Sequence, residues 1–327
     1  MKNRIEFIDI SKGAGIILVV VGHCLNTTDF PGRWIYSFHM PFFFFISGSL
    51  LSGNTTSAFI YKKFKQLIVP FITLGLIVLT LKLIVIDKEI NPVIYLSNML
   101  KYLVTGNQAP FWFLPVLFCS SIAYFLISKI KNISTRFIIL LGSVVLSYFF
   151  YSPNAGIPYS INSVFMAIFF VGLGYESKNL LVKINNINKS LPLFALSILL
   201  FVISISVAYF INPALNMSDN RVTPIIPVYL GAINGILLLT FTSLIIDKHF
   251  PNKISSILKF LGRNTLTIMC LHMFFISLSS EYIKYYIDSV MIYKFVEQLF
   301  VWSMSLLFVY LINKYIPVLI GKTRNNN

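Results

Sequence analysis

The chain has 327 residues, of which 57% are hydrophobic and only 11% charged, with a mean hydropathy of +0.80. Ordinary soluble domains are about 25% charged, so there is too little polar material to coat a soluble globule, and the wealth of apolar side chains excludes disorder. The net charge of +15 lies in short clusters between apolar runs, which is the pattern of membrane loops and not of a basic stripe for nucleic acid.

A helix needs about 20 mainly apolar residues to cross a bilayer. Ten segments are candidates, of which 136–151 and 161–177 are short: 8–26, 34–52, 67–86, 110–128, 136–151, 161–177, 191–211, 225–246, 264–282 and 295–316. The expected fold is therefore an all-α polytopic membrane protein of about ten transmembrane helices, with 1–327 as a single domain and no appended soluble one. Residues 90–105, punctuated by Pro92, Asn98 and Lys101, predict an interfacial helix instead. Lys2 and Arg4 resemble the charged start of a signal sequence, but no small-residue cleavage site follows, so the first helix is expected to be retained.

Alternate loops then set the orientation. Starting from the N-terminus, every second loop holds eighteen Lys and Arg in total, from Lys2 and Arg4 through Lys62, Lys63, Lys65 and Arg136 to Arg324. The opposite loops hold six: Arg33, Lys88, Lys101, Arg221, Lys284 and Lys294. That asymmetry predicts both termini in the cytoplasm of a multi-pass protein of the cell (inner or plasma) membrane. No internal repeat stands out, which argues against a transporter built from repeated halves.

Ionisable groups inside spans are costly, roughly 2.5–3.5 kcal/mol each at a helix centre, and need a reason. The first span holds Asp9, Lys12 and His23. Lys12 and His23 are eleven residues apart, which places them about 20° apart in azimuth and about 16 Å along the axis, on one face. Asp9, three residues before Lys12, is close enough to pair with it. Lys12 reads either as an inner-interface cation snorkelling with Asp9 or as a functional charge. His23 reads either as a packing histidine bonded to a neighbouring helix or as a proton-handling group, and Gly22 beside it permits close approach.

The second span runs Phe38-His39-Met40-Pro41 through four Phe to Ser47-Gly48. His39 falls at a depth similar to His23, Pro41 belongs to the first turn, the Phe are core or lipid-facing, and Ser47-Gly48 predicts a close helix contact. Trp112, in Phe111-Trp112-Phe113-Leu114, falls at the outer boundary as a belt aromatic. The ninth span opens Leu261-Gly262-Arg263-Asn264-Thr265, where Asn264 or Thr265 is expected to cap the helix. Arg263 there is an ordinary inside-positive charge or a site for an anionic group. His272, about midway, handles protons or bonds between helices. Lys82, Glu297 and Arg33 are read as interfacial. Cys24, Cys119 and Cys270 lack metal-ligand spacing and a disulfide pattern. No metal, Walker or Ser-His-Asp pattern is present, so nitrogen bases are the chemistry on offer.

These patches resemble the acyltransferase-3 family of integral membrane O-acyltransferases, in particular its sugar O-acetylase branch (fucose 4-O-acetylase-like). The first match runs from Arg4-Ile5-Glu6-Phe7-Ile8-Asp9-Ile10-Ser11-Lys12-Gly13 to Gly22-His23, a basic residue, ten positions, then histidine. The basic residue here is Lys12, where many members have arginine. The second is Phe38-His39-Met40-Pro41 through Ser47-Gly48, and the third Leu261-Gly262, Asn264 and Leu271-His272. Trp112-Phe113-Leu114 and Phe170-Val171-Gly172-Leu173-Gly174 are weaker echoes.

The resemblance implies an O-acetyltransferase that takes an acyl group, usually acetyl from cytoplasmic acetyl-CoA, to a hydroxyl of a cell-envelope glycan, exopolysaccharide or lipid-linked sugar precursor. Its partners would be acyl-CoA, the glycan or lipid-linked acceptor and the bilayer, with no nucleic acid and no metal. It implies His23, Lys12 and Asp9 as catalytic residues, His39, Trp112 and His272 as substrate-binding, and Arg263 with Lys12 as the CoA-binding cations. A chain ending at Asn327, just past the last span, is expected to be a stand-alone transferase. The alternative is a transporter or flippase of a lipid-linked saccharide with a histidine proton relay.

Overall fold

The computed structural model describes residues 6–25, 29–53, 55–89, 91–106, 109–150, 157–186, 190–210, 216–219 and 224–322. Arg4 and Ile5 of the first motif, the loop cations Lys2, Lys189, Arg221 and Arg324, and the predicted span ends at 26, 151 and 211 lie outside the described residues.

Every regular element among the described residues is helical. In chain order they are α1 (Glu6–Cys24), α2 (Phe30–Tyr36), α3 (His39–Ser49), α4 (Thr56–Lys63), α5 (Val69–Leu81), α6 (Pro92–Thr105), α7 (Phe113–Ile127) and α8 (Ile133–Phe149). There follow α9 (Val164–Glu176), α10 (Lys178–Asn185), α11 (Ser190–Phe210), α12 (Ile225–His249), α13 (Asn252–Arg263), α14 (Thr265–Tyr282) and α15 (Val290–Tyr315).

Among the described residues six helices are long and apolar enough to cross a membrane, or seven if α13 and α14 form one broken span, against the ten expected. Three differences account for most of the shortfall. α7 and α8 have only 15 and 17 residues, short of a bilayer crossing. The predicted span 34–52 is two helices, α2 and α3, separated at Ser37–Phe38. Pro41 has no N–H to offer the Ser37 carbonyl, so a continuous helix would lose a rung there. Ser37 instead turns its hydroxyl back onto the Trp34 carbonyl at 2.7 Å. Conversely, α4 and α5 are joined and extended by π-helical turns into one 31-residue helix, Thr56–Ile86. Lys62, Lys63 and Lys65, expected in a loop, are therefore helical.

The chain forms two compact units that alternate along the sequence. The first comprises Met1–Ser52, Cys119–Asn154 and Asn162–Thr265, and the second Gly53–Phe118, Ala155–Ile161 and Leu266–Asn327. In the first unit α1 packs against α13, α12 and α3, while α3 packs on α9 and α9 on α8. Lipid tails are as apolar as Leu, so helices in a bilayer associate through close packing, and small residues permit it. A Cβ on Gly48 would lie 1.9 Å from the Val171 carbonyl oxygen, and one on Gly174 1.9 Å from that of Phe45. The α3 and α9 backbones thus touch, as Ser47-Gly48 predicted. Phe42, Phe43, Phe44 and Phe45 are all buried, so they are core and not lipid-facing.

Arg136, expected as a loop cation, instead ties α8 to α9. Its Nε and one terminal nitrogen donate to the two Glu176 carboxylate oxygens at 2.8 and 2.9 Å, and the Tyr124 hydroxyl donates to Glu176 at 2.6 Å. Both charged side chains are largely shielded. Removing one member of a buried, hydrogen-bonded pair strands the other, at a cost of about 3–5 kcal/mol. Glu176→Gln is expected to lower the thermal unfolding midpoint of the detergent-solubilised protein; an unchanged midpoint would show the bridge to be dispensable.

In the second unit, α6 forms where the interfacial helix was expected. Asn91 caps it by accepting from the Val93 N–H at 3.0 Å, and Gly106 closes it in the left-handed region. It exposes Val93, Leu96, Leu100 and Val104 and buries Tyr102, whose hydroxyl donates to the Phe71 carbonyl at 2.6 Å. Glu297, expected to be interfacial, is buried on α15, accepting from the Tyr293 hydroxyl at 2.8 Å and from Lys294 Nζ at 3.1 Å.

Candidate active site

The polar residues of α1 fall into two groups, one at each end of the helix. At its start, the buried Asp9 carboxylate sits between two cations: Lys12 Nζ is 3.7 Å from one oxygen and Arg263 Nε 3.6 Å from the other. Lys259 on α13 bridges Glu6 of α1 and Asp247 of α12, the latter at 3.1 Å. Backbone contact brings these groups together. A Cβ on Gly262 would lie 1.9 Å from the Asp9 carbonyl oxygen, and one on Gly13 2.1 Å from that of Leu258. α1 and α13 therefore cross with no side chain between them at these points. Arg263 meets Asp9 through Nε while 55% of its side chain remains exposed, so its planar fork is available to an anionic group.

Asn264 and Thr265, expected to cap the ninth helix, both reach backwards. The Asn264 amide nitrogen donates to the Phe260 carbonyl at 2.9 Å and the Thr265 hydroxyl to that of Gly262 at 3.4 Å. They close the end of α13, which fixes where Arg263 leaves the helix.

The other end of α1 holds an aromatic and imidazole cluster. His23 Nδ1 is 2.8 Å from the Tyr36 hydroxyl, with the two rings edge to face at 5.5 Å. His39 lies 6.2 Å from His23 and 4.8 Å from Tyr36 between ring centroids, edge-on to both. His39 is buried, and its Nδ1 is 3.0 Å from the Ile35 carbonyl. A carbonyl only accepts, so Nδ1 carries the hydrogen and the neutral ring presents a bare Nε2. The break between α2 and α3 allows this, because it turns Tyr36 and His39 towards the end of α1. Gly22 admits α2: a Cβ there would lie 2.9 Å from Ile35 Cγ2 and 3.5 Å from the Tyr36 ring.

His23 and His39 thus meet, as their matching depth suggested, and Asp9, Lys12 and Arg263 meet at the far end, about 16 Å away along α1. Trp112 and His272 belong to the second unit. Trp112 is half-buried at the start of α7, edge-on to Phe113. His272 is fully buried midway along α14, with Nδ1–H donating to the Ile268 carbonyl one turn earlier at 3.1 Å. The residue that sequence reading missed is Tyr36. Nothing in its spacing marked it, because its contact with His23 depends on the chain turning between α1 and α2.

A family model described as "Acyltransferase domain" (Acyl_transf_3) matches residues 5–314. Nodulation protein NolL of Mesorhizobium japonicum is 30% identical over 146 residues, which cover 40% of this chain and 38% of that protein. The alignment thus spans about two fifths of the length of this relative. No solved structure matches. Neither similarity lends support to a flippase.

Proposed function

Because the chain belongs to the acyltransferase-3 family, and is thus a multi-pass membrane acyltransferase, we propose that it moves an acetyl group from cytoplasmic acetyl-CoA to a sugar hydroxyl of a cell-envelope glycan or its lipid-linked precursor. The observation that supports this most is the pairing of His23 with Tyr36 and His39 at one end of α1, with the cations around Asp9 at the other. With the N-terminus on the cytoplasmic side of the cell membrane, as the loop charges favour, the cationic end of α1 faces the acyl-CoA pool and the imidazole end faces the glycan.

In this reading His23 takes the proton of the acceptor hydroxyl as its oxygen attacks the thioester carbonyl carbon. The new C–O bond forms, the C–S bond breaks, and the departing CoA thiolate takes the proton back from the imidazolium. Such general-base assistance is worth roughly 10²–10⁴-fold. Lys12, held by Asp9, provides positive charge for the donor, and Arg263 meets the CoA phosphates. His39 binds the acceptor beside His23.

Incubating the purified protein with acetyl-CoA and envelope glycan, and following CoA release together with the glycan's gain of one acetyl mass, tests the whole reading. An absence of both CoA release and acyl-CoA binding would overturn it. Lys12→Arg is expected to keep most of the transfer rate and Lys12→Gln to lose it, since a charge role survives exchange of one cation for another. Equal rates for the two variants would remove Lys12 from the donor site.

A further inference from the structure

We propose that Tyr36 is the positioning residue that sets the tautomer of His23, accepting a hydrogen bond from Nδ1–H so that Nε2 is the bare nitrogen that receives the proton. The proposal rests on His23 being the base of acyl transfer.

The contact itself is short and well enclosed. Tyr36 Oη lies 2.8 Å from His23 Nδ1, and Tyr36 is the last residue of α2, where Ser37 N–H and the Ser37 hydroxyl both close back onto the helix. The Tyr36 ring lies beside Gly22, where a Cβ would be 3.5 Å away, and edge-on to the His39 ring, itself pinned to the Ile35 carbonyl. The ring therefore has little freedom to leave His23.

A phenol oxygen can donate or accept, and the two polarities have opposite consequences. If Tyr36 donates, Nδ1 is engaged as an acceptor and Nε2 carries the ring hydrogen, so neither nitrogen has a free lone pair. That imidazole cannot take a proton from a hydroxyl. If Tyr36 accepts from Nδ1–H, Nε2 is bare and the ring is a base. The imidazolium formed during transfer has hydrogens on both nitrogens, and only an acceptor beside Nδ1 is compatible with it. The phenol oxygen fills that role before and after proton transfer without moving, in the way a third group orients the histidine of hydrolytic triads.

His39 shows the same principle with a fixed answer, because its Nδ1 faces a carbonyl that can only accept. For His23 the group facing Nδ1 is the Tyr36 hydroxyl, which can donate or accept.

The chain has four histidines, His23, His39, His249 and His272, which makes the tautomer measurable. Nitrogen-15 spectra of the full-length protein in lipid, labelled at histidine ring nitrogens, distinguish bare from hydrogen-bearing nitrogens, and His23→Ala identifies the His23 pair. The expected wild-type result is a hydrogen on Nδ1 and a bare Nε2; the reverse would overturn the proposal. In Tyr36→Phe the bare Nε2 signal is expected to fall as the two tautomers mix. With it, kcat for CoA release should drop by about 10-fold to 10²-fold while KM for acetyl-CoA stays within about twofold, since the lost group acts on proton transfer and not on donor binding. A Tyr36→Phe protein with wild-type kcat would also overturn it. If His23→Ala retained transfer, the base assignment would fail while the tautomer result still stood, so the two are separable.

Discussion

His23→Ala is expected to reduce acyl transfer by roughly 10²–10⁴-fold, the range that a positioned general base contributes, while the protein is still made, inserted and recovered as a single species. The expectation of intact folding has a structural basis. His23 is half-buried near the end of α1, where it meets the Tyr36 hydroxyl and the edges of the Tyr36 and His39 rings. The packing of α1 depends on other residues, chiefly Phe7, Ile10, Ile16 and Val20, which are fully buried along its length. Truncating His23 leaves them untouched. The measurement is the initial rate of CoA release by purified variant and wild type at equal concentration, with the thermal midpoint as a check on folding. Wild-type turnover by a correctly folded variant would remove His23 from the chemistry.

Gly262→Val is expected to be the most disruptive of the single substitutions considered for the fold. Even the first carbon of a side chain there would sit 1.9 Å from the Asp9 carbonyl oxygen, which is backbone and cannot rotate aside. The helices must separate, and both sets of ion pairs that link them, Asp9 with Arg263 and Glu6 with Lys259, must stretch. Overpacking alone costs about 1–3 kcal/mol and sometimes more, so a large fall in thermal midpoint and in the yield of monodisperse protein is expected. Gly142→Ala on α8 is the control. Nothing lies within 4 Å of a Cβ at that position, and replacing a mid-helix glycine by alanine gains about 0.5–1 kcal/mol. Equal midpoints for the two variants would mean that α1 and α13 do not cross in backbone contact.

Composition was enough to place this chain in a membrane, because an apolar majority with few charges has no other stable solution. Helical periodicity was enough to put Lys12 and His23 on one face of α1, since residue spacing along a regular helix is fixed geometry. Short-range signals were equally readable. Asp9 pairs with Lys12 one turn on, and Ser47-Gly48 marks a close contact, because small residues in a membrane helix have few other uses. The chemistry-bearing motifs therefore lay in the linear order of residues.

What lay outside that order were breaks and partners. Hydropathy sums a window and is insensitive to a missing rung, so 34–52 read as one span although it is two helices meeting at Ser37–Phe38. The sequence did not mark Tyr36, which that break brings onto His23, thirteen residues earlier in the chain. Arg136 looked like a loop cation until α8 and α9 came together around Glu176. Arg263 looked like an inside-positive charge until the glycine crossing of α1 and α13 brought it to Asp9. The last two contacts join residues far apart in sequence, and a pattern along one strand of text contains no term for them.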